Sequence, residues 1–259
     1  MTASRMPTPT YAKGSTMKYA SARLLLFFLL VSSPALSTNA QRVVERWVHP
    51  NILLDARQLL GHIGPENTDY RHKDNLVSWG ENGTTWQCYA DCSGFINALL
   101  VHTYKFTEDM FEKNFGHRRM YAYHYFDAIQ NGKHFYRIRN IRDIRPGDII
   151  ALQYADRSEH DDNTGHVMVV DSLPEVHRPS KVFAPNTRQF LVPVIDCSRS
   201  AHGSTDTRYE KSYSGLGRGA FRLYTDPNGE IVGYSWSGGN PKEGFDPFEN
   251  AIVVGRTLF

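Results

Sequence analysis

The sequence predicts an α+β fold in which helices come first and a mostly antiparallel sheet follows. Apolar residues recur at helical spacing up to about residue 130, whereas the rest of the chain alternates β-branched runs with short turns. Helices and strands that are segregated along the chain and joined by short connections are typical of α+β domains.

The chain begins with a segment typical of a secretory signal peptide. Basic residues precede the apolar run Leu24–Val31, and small residues then lead to Ala40. This run is too short to span a bilayer in the mature protein. We therefore expect cleavage after Ala40, with cleavage near Ser37 or a retained signal anchor as the alternatives, and a secreted or periplasmic protein.

Charge and length limit what the mature protein can be. The whole chain has 29 basic and 27 acidic residues, and removing residues 1–40 takes away four basic residues and no acidic one, which leaves about 25 against 27. A net charge of about −2 disfavours a broadly cationic nucleic-acid binder. Residues 41–259 suffice for a single domain, and they contain no second apolar span, so no stable membrane span is expected after leader cleavage.

Three helices are predicted before the sheet. Val48–Gly61 has apolar residues at helical spacing, and Gly64–Gln87 is polar and is predicted to be a loop. Asp91 is a good N-cap for a helix that is apolar from Phe95 onwards. The third helix is predicted over Arg118–Gln130, where Asn131-Gly132 ends it.

The predicted strands fill the second half of the chain. Val176–Thr187 is a long basic connection, and Asp226-Pro227-Asn228-Gly229 is a hairpin turn between two of the strands. The strands are Ile149–Tyr154, Val167–Asp171, Phe190–Asp196, Phe221–Thr225, Glu230–Trp236 and Ala251–Leu258.

A cysteine and a histidine are placed as a nucleophile and its base would be. Cys92 opens the helix capped by Asp91, and His166 lies at the start of an apolar strand. The amides of a helix start would lower the pKa of the thiol and could stabilise an oxyanion. His160 and His202 are the next candidates for the base. The structural alternative is a strand-end histidine without a chemical role.

A base usually needs a third group that orients its second ring nitrogen. Asp196 ends a strand that should neighbour the His166 strand, so it is the candidate; the alternative is an aspartate that caps a turn. Of the three cysteines, Cys92 is the expected free thiol, and Cys88 and Cys197 either pair or stay reduced.

Four motifs follow one another along the chain: Asp91–Phe95, Arg145–Ile150, Gly165–Val170 and Val194–Asp196. In this order they resemble the NlpC-type cysteine peptidases, a branch of the papain-like superfamily. The resemblance implies a papain-like fold in which a helical part presents the cysteine to an antiparallel sheet. It also implies cleavage of peptide bonds in bacterial cell-wall stem peptides, with peptidoglycan peptide or another amide as the substrate and with no cofactor or metal.

The resemblance assigns roles to individual residues. Cys92, His166 and Asp196 become the catalytic triad. Asp91 and Ser93 become ligands of a substrate amine, although plain helix capping explains them equally well, and Tyr89 would line the site. The family often has histidine where this chain has Asp196, so the subfamily stays open.

Other features depart from the family or leave alternatives open. The segments Val176–Thr187 and Ala201–Gly219 look like additions at the cleft. The glycines of Gly215–Gly219 do not follow a strand and open a helix, which excludes a phosphate-binding loop. An amidase or acyl transferase acting on lipid or protein would use the same site, and a non-catalytic binding module would use the same fold.

Overall fold

Four helices lie in the first half of the described chain, and their caps explain where they begin. The computed structural model describes residues 51–155, 164–178, 184–239 and 246–259, so the predicted signal peptide and His160 lie outside it. Asn51 accepts a hydrogen bond from the Leu53 N–H, and Asp91 accepts one from Gly94. The helices are α1 Ile52–His62, α2 Cys92–Tyr104, α3 Glu108–Phe115 and α4 Ala122–Gln130.

A small sheet occupies the segment that the sequence predicted to be a loop. Its strands are β1 Thr68–Tyr70, β2 Leu76–Trp79 and β3 Trp86–Ala90, and β3 pairs in parallel with β1 and antiparallel with β2. The prediction of a loop over Gly64–Gln87 was therefore wrong. Strands this short contain too few residues to show an alternating pattern among polar neighbours. The last of them, β3, leads directly into Asp91 and α2.

The large sheet is antiparallel at every described strand pair, which confirms an α+β fold with a mostly antiparallel sheet. Its strands are β4 Phe135–Ile138, β5 Ile149–Gln153, β6 Gly165–Val170, β7 Glu175–His177, β8 Arg188–Ser198, β9 Gly215–Thr225, β10 Ile231–Ser235 and β11 Ala251–Thr257. Their order in the sheet is β10-β9-β8-β6-β5-β11-β4, and β7 pairs with the outer part of β8.

The sequence predicted most of these elements. It missed some of them entirely and placed the ends of others wrongly. Helix α3 and strands β4 and β7 were not predicted, and α4 begins at Ala122 rather than Arg118. The predicted connection Val176–Thr187 therefore begins in a strand, because Glu175–His177 pairs with β8. Strand β9 extends back to Gly215, because a run with alternate glycines still pairs along the whole of β8. The turn Asp226–Gly229 joins β9 and β10 as predicted.

Both faces of the central strands are buried. Val167 and Val169 pack with the helices, whereas Met168 and Val170 pack in a second apolar cluster on the opposite face. This alternation explains why β6 is almost wholly apolar. Each such side chain contributes roughly 1.5–3 kcal/mol of burial free energy, so the strand that begins with Gly165-His166 is firmly held. Within the described residues, no helix is both long enough and apolar enough to cross a membrane.

Candidate active site

The carboxylate of Asp196 is the centre of a buried polar cluster. Strand β8 neighbours β6, as the sequence predicted, and this brings His166 Nε2 to 2.6 Å from Asp196 Oδ2. His202 Nε2 lies 3.0 Å from the same oxygen, and Arg208 Nη2 lies 2.8 Å from Oδ1. These four side chains are at most 4% exposed. The sequence therefore placed His166 beside Asp196 correctly but did not identify the two other partners.

A second carboxylate completes the cluster. Arg208 donates from Nε to Asp206 Oδ1 at 2.9 Å and from Nη2 to Asp206 Oδ2 at 2.7 Å, and its Nη1 bonds the carbonyl of Gly215. The backbone N–H of His202 donates to Asp206 Oδ2 at 2.8 Å. The segment between β8 and β9 is thus tied to Asp196 by its own ion pairs.

Alternate glycines of β9 make room for this cluster. Gly217 lies opposite Asp196 in the ladder between β8 and β9, and a Cβ there would overlap the Arg208 guanidinium. A Cβ at Gly219 would overlap Asp206 and His202. The glycine-rich run that cannot be a phosphate loop therefore has a packing role, because it leaves space under the buried ions.

The ionisation of the cluster follows from its contacts. Burial raises the pKa of Asp196, but Arg208, His202 and the hydrogen bonds outweigh it and hold that pKa well below its ordinary value. Burial lowers the pKa of His166, and the charges of His202 and Arg208 lower it further, against the effect of Asp196. At neutral pH the pair is therefore a carboxylate and a neutral imidazole.

The tautomer of His166 follows from the same contact. Its Nε2 faces an ionised carboxylate, which can only accept, so the ring proton lies on Nε2. Nδ1 then has a free lone pair, and within the described residues no hydrogen bond engages it. This is the arrangement that a general base requires.

Cys92 is the first residue of α2. Its side chain is buried, and the backbone N–H groups of Val167 and Ser93 donate to its sulfur. The Val167 N–H can bond the sulfur because β6 pairs with β8 only at Val169 and Val170. At Val167 the two strands are no longer paired. The sulfur thus lies beside the residue that follows His166.

The expectation of a lowered thiol pKa was wrong. Burial, followed by the charge of Asp91, raises the pKa of Cys92 to about 12, and the N–H groups of Val167 and Ser93 oppose this only in part. Desolvation at a buried helix start therefore outweighs the helix amides. In the described residues no hydrogen bond joins Cys92 to His166, so their direct contact stays a prediction.

The proposed ligands of a substrate amine are engaged within the protein. Asp91 accepts from the Ser93 hydroxyl, from the Gly94 N–H and, at 2.7 Å, from Arg119. These are the contacts of an N-cap and of a buried ion pair. The capping role of Asp91 is confirmed, whereas Ser93 donates to the capping carboxylate and does not cap the helix itself. The contact of both residues with substrate stays a prediction.

Tyr89, the third predicted ligand, makes structural contacts outside the cleft. Its hydroxyl donates to the Glu66 carbonyl, and the Arg71 guanidinium lies 4.2 Å from its ring centre. Tyr70 is the tyrosine of this strand pair that lines the cleft, and it could not be separated from Tyr89 without the register of β1 and β3.

A cleft of about 480 Å³ opens above His166. Trp236 forms one wall, with its ring centre 4.8 Å from that of His166 and 4.2 Å from that of His202. The sequence did not identify most of these residues, since they come from the ends of separate strands. The lining is Tyr70, His72, Tyr154, His166, Ser198, Arg199, Ser200 and Trp236.

The same side chains could be considered as a metal site. Ligand atoms of His166, Asp196 and His202 all lie within 4.8 Å of one another. The Arg208 guanidinium already bonds Asp196, however, and its buried positive charge opposes a divalent cation at the same carboxylate. The cluster fits a hydrogen-bonded ion network better than a metal centre.

The other two cysteines are free thiols in this structure. Cys197 donates to the Ala90 carbonyl at 2.8 Å, and Cys88 and Cys197 are close enough to hydrogen-bond.

Comparison with known proteins gives a relative that matches most of this chain. The chain is 37% identical over 218 residues to "Uncharacterized protein R653" of Acanthamoeba polyphaga mimivirus, and the match covers 80% of this chain and 96% of that protein. No protein-family profile and no solved structure matches the chain. Identity at this level over nearly the whole relative shows common ancestry, so the chain belongs to the same family as this mimivirus protein.

Proposed function

We propose that this protein is an exported cysteine hydrolase of papain-like fold that cleaves amide bonds with Cys92, His166 and Asp196. The observation that carries the proposal is the 2.6 Å contact between His166 Nε2 and Asp196, which fixes the tautomer whose Nδ1 is basic. This nitrogen belongs to a residue that lines the cleft, and the neighbouring Val167 N–H bonds the Cys92 sulfur.

The reaction follows from these positions. Cys92 Sγ attacks the amide carbonyl, and its proton passes to His166 Nδ1. Backbone N–H groups at the start of α2 stabilise the oxyanion. The intermediate collapses to a thioester as His166 returns the proton to the departing amine. Water, deprotonated by His166, then releases the acid and restores the thiol, while Asp196 stays ionised throughout.

The favoured substrate is a peptidoglycan stem peptide. The described cleft lining contains His72 and Arg199 and no carboxylate, which suits a peptide that bears carboxylates of its own. The resemblance of the four motifs to NlpC-type peptidases supports the same substrate class. An amidase or acyl transferase acting on lipid or protein would use the same catalytic atoms.

Incubation of the purified protein with muropeptides, followed by mass spectrometry, tests the proposal. We expect a cleavage product that disappears in Cys92→Ala and in His166→Ala and persists in Cys88→Ala, which removes another buried thiol. Product formation should also survive a chelator. Unchanged activity of Cys92→Ala would contradict the proposal.

Two other outcomes identify the alternatives. Turnover of an ester or a lipid amide without any muropeptide product would indicate the acyltransferase or amidase. Binding of muropeptide without turnover of any of these substrates would indicate a binding module.

A further inference from the structure

Both ring nitrogens of His202 face hydrogen-bond acceptors. Nδ1 lies 2.8 Å from the carbonyl oxygen of Trp236, and Nε2 lies 3.0 Å from Asp196 Oδ2. A carbonyl and an ionised carboxylate have no proton to donate, so each contact needs an N–H on the ring. A neutral imidazole has only one such group. The contacts therefore require the doubly protonated, positively charged form of His202.

We infer that His202 is a resident imidazolium and that, with Arg208, it forms a two-cation clamp on Asp196 that holds His166 as a neutral imidazole. The two residues are positioning residues, because they act on the base through Asp196. Their role in catalysis rests on the proposed function, whereas their charge states do not.

The charges of the cluster sum to zero only if His202 is doubly protonated and His166 is neutral. Asp196 and Asp206 supply two negative charges, and Arg208 and His202 supply two positive ones, all in side chains no more than 4% exposed. An unbalanced charge at such a depth is costly. A proton on His166 would leave the cluster with an excess positive charge, so His166 stays neutral in the resting site.

The groups around the clamp do not alter this balance. Cys92 and the tyrosines near it have raised pKa values, chiefly because they are buried, and so remain neutral. The acid at the start of α2, Asp91, is paired with Arg119. Burial likewise raises the pKa of Cys197, which stays a neutral thiol. The titratable and charged groups that face the cluster are Tyr70 from β1, Asp91 and Cys92 from the start of α2, Tyr154 after β5, His166 from β6, Cys197 from β8, and Asp206 and Arg208 from the connection before β9.

The clamp gives the site a particular resting state. His166 is a neutral acceptor and Cys92 a neutral thiol, so the two do not form a thiolate–imidazolium pair before substrate binds. The lowered pKa of His166 and the raised pKa of Cys92 agree with this. The proton then moves only as the sulfur attacks the carbonyl.

Nitrogen-detected NMR of the histidine rings in the full chain tests the charge states directly. At neutral pH we expect two protonated ring nitrogens on His202 and one, Nε2, on His166. His202 can be assigned through its contact with the Phe221 ring, whose centre is 5.8 Å away, and through the loss of its signals in His202→Gln. An unprotonated nitrogen on His202 overturns the inference, and so does a divalent metal bound at both Nε2 atoms.

A variant tests the effect of the clamp on the base. In His202→Gln the titration midpoint of His166 should rise by roughly one pH unit, because a nearby buried positive charge is lost. His177→Gln, on β7 of the same sheet, should leave it unchanged. An unchanged midpoint in His202→Gln overturns the inference. If that variant does not fold, the wild-type spectrum alone decides the charge of His202.

The same variant gives a kinetic reading. The acid limb of kcat/KM should move to higher pH in His202→Gln together with the His166 midpoint, which a purely structural loss would not produce. Absence of hydrolysis in the wild type would refute the proposed function and leave the NMR result standing, so the two failures are distinguishable.

Discussion

The two halves of the candidate site are built in opposite ways. On the base side, His166 and Asp196 are fixed by ion pairs that come from β6, β8 and the segment before β9. On the nucleophile side, the Cys92 sulfur has backbone N–H donors, and its pKa is raised to about 12 by burial and by Asp91. Under the proposed function, His166 is a neutral acceptor in the resting protein while Cys92 is still a thiol, so proton transfer accompanies the attack on substrate.

The largest expected effect is a decrease in the free energy of unfolding when a buried ion pair on the base side is removed. Arg208→Met leaves Asp196 and Asp206 buried without their guanidinium, and loss of one partner of a buried ion pair costs about 3–5 kcal/mol. Urea denaturation should show this decrease in the free energy of unfolding. Arg188→Met, an exposed arginine on β8, is the control and should change it by less than about 0.5 kcal/mol. Equal decreases in the free energy of unfolding in Arg208→Met and Arg188→Met would contradict the view that buried ion pairs stabilise the base side.

The second effect concerns the reactivity of the thiol. With the pKa of Cys92 at about 12, the rate of alkylation by iodoacetamide should rise about tenfold per pH unit between about pH 7 and pH 10. Asp91→Asn keeps the helix cap and removes the charge, so at pH 8 it should react several-fold faster. Peptide mapping by mass spectrometry separates Cys92 from the other thiols. Asp74→Asn, in an exposed turn, is the control.

A plateau in the rate of Cys92 alkylation around neutral pH would contradict these expectations. It would show that Cys92 is already a thiolate in the resting protein, which contradicts both the raised pKa and the neutral state of His166. Fast alkylation in wild type and Asp91→Asn alike would have the same consequence.

Lowering the pH should remove the stability that His166 and Asp196 contribute on the base side. The pKa of His166 is lowered on folding, so its contribution to stability is present above its unfolded value of about 6.5 and is lost as the pH falls below that. The pKa of Asp196 is also lowered, and its contribution is lost further down, below about pH 3.9. In thermal melts the difference in stability between wild type and His166→Gln should therefore shrink as the pH falls from about 7 to about 5. An identical profile in the variant would contradict this.

The site was predictable where local patterns determine it. Strand alternation and antiparallel order were sufficient to place Asp196 beside His166, and a capping aspartate was sufficient to start α2 at Cys92. These are short-range properties of the sequence. The burial of Cys92 is not, because it depends on how α2 packs against β6, and this burial reversed the expected direction of its pKa.

The clamp could not be predicted from the sequence, because no local pattern marks its residues. His202 and Arg208 lie in a polar connection without periodicity, and their partners come from another strand. The available signal was the spacing of Gly215, Gly217 and Gly219. Glycines at every second position of a strand leave one face of a sheet without side chains. Here the buried ions lie over Gly217 and Gly219, whereas Thr68 and Asp69 lie over Gly215.

The smallest expected effect concerns the rim of the cleft, outside both halves. Arg199 is exposed, lies 5.7 Å from the Tyr70 ring centre, and forms no ion pair within the described residues. Under the proposed function its free charge attracts a substrate carboxylate. Arg199→Gln should then raise KM for stem peptides about three- to tenfold with little change in kcat, as expected for a partly exposed ion pair worth about 1 kcal/mol.

The charge of the substrate provides the decisive control for this rim contact. Amidation of the substrate carboxylates should remove the difference between wild type and Arg199→Gln, and added salt should reduce it. Arg188→Gln should match wild type on every substrate. A change in kcat that persists with amidated peptide would instead connect Arg199 to the positioning of His166, since both line the same cleft.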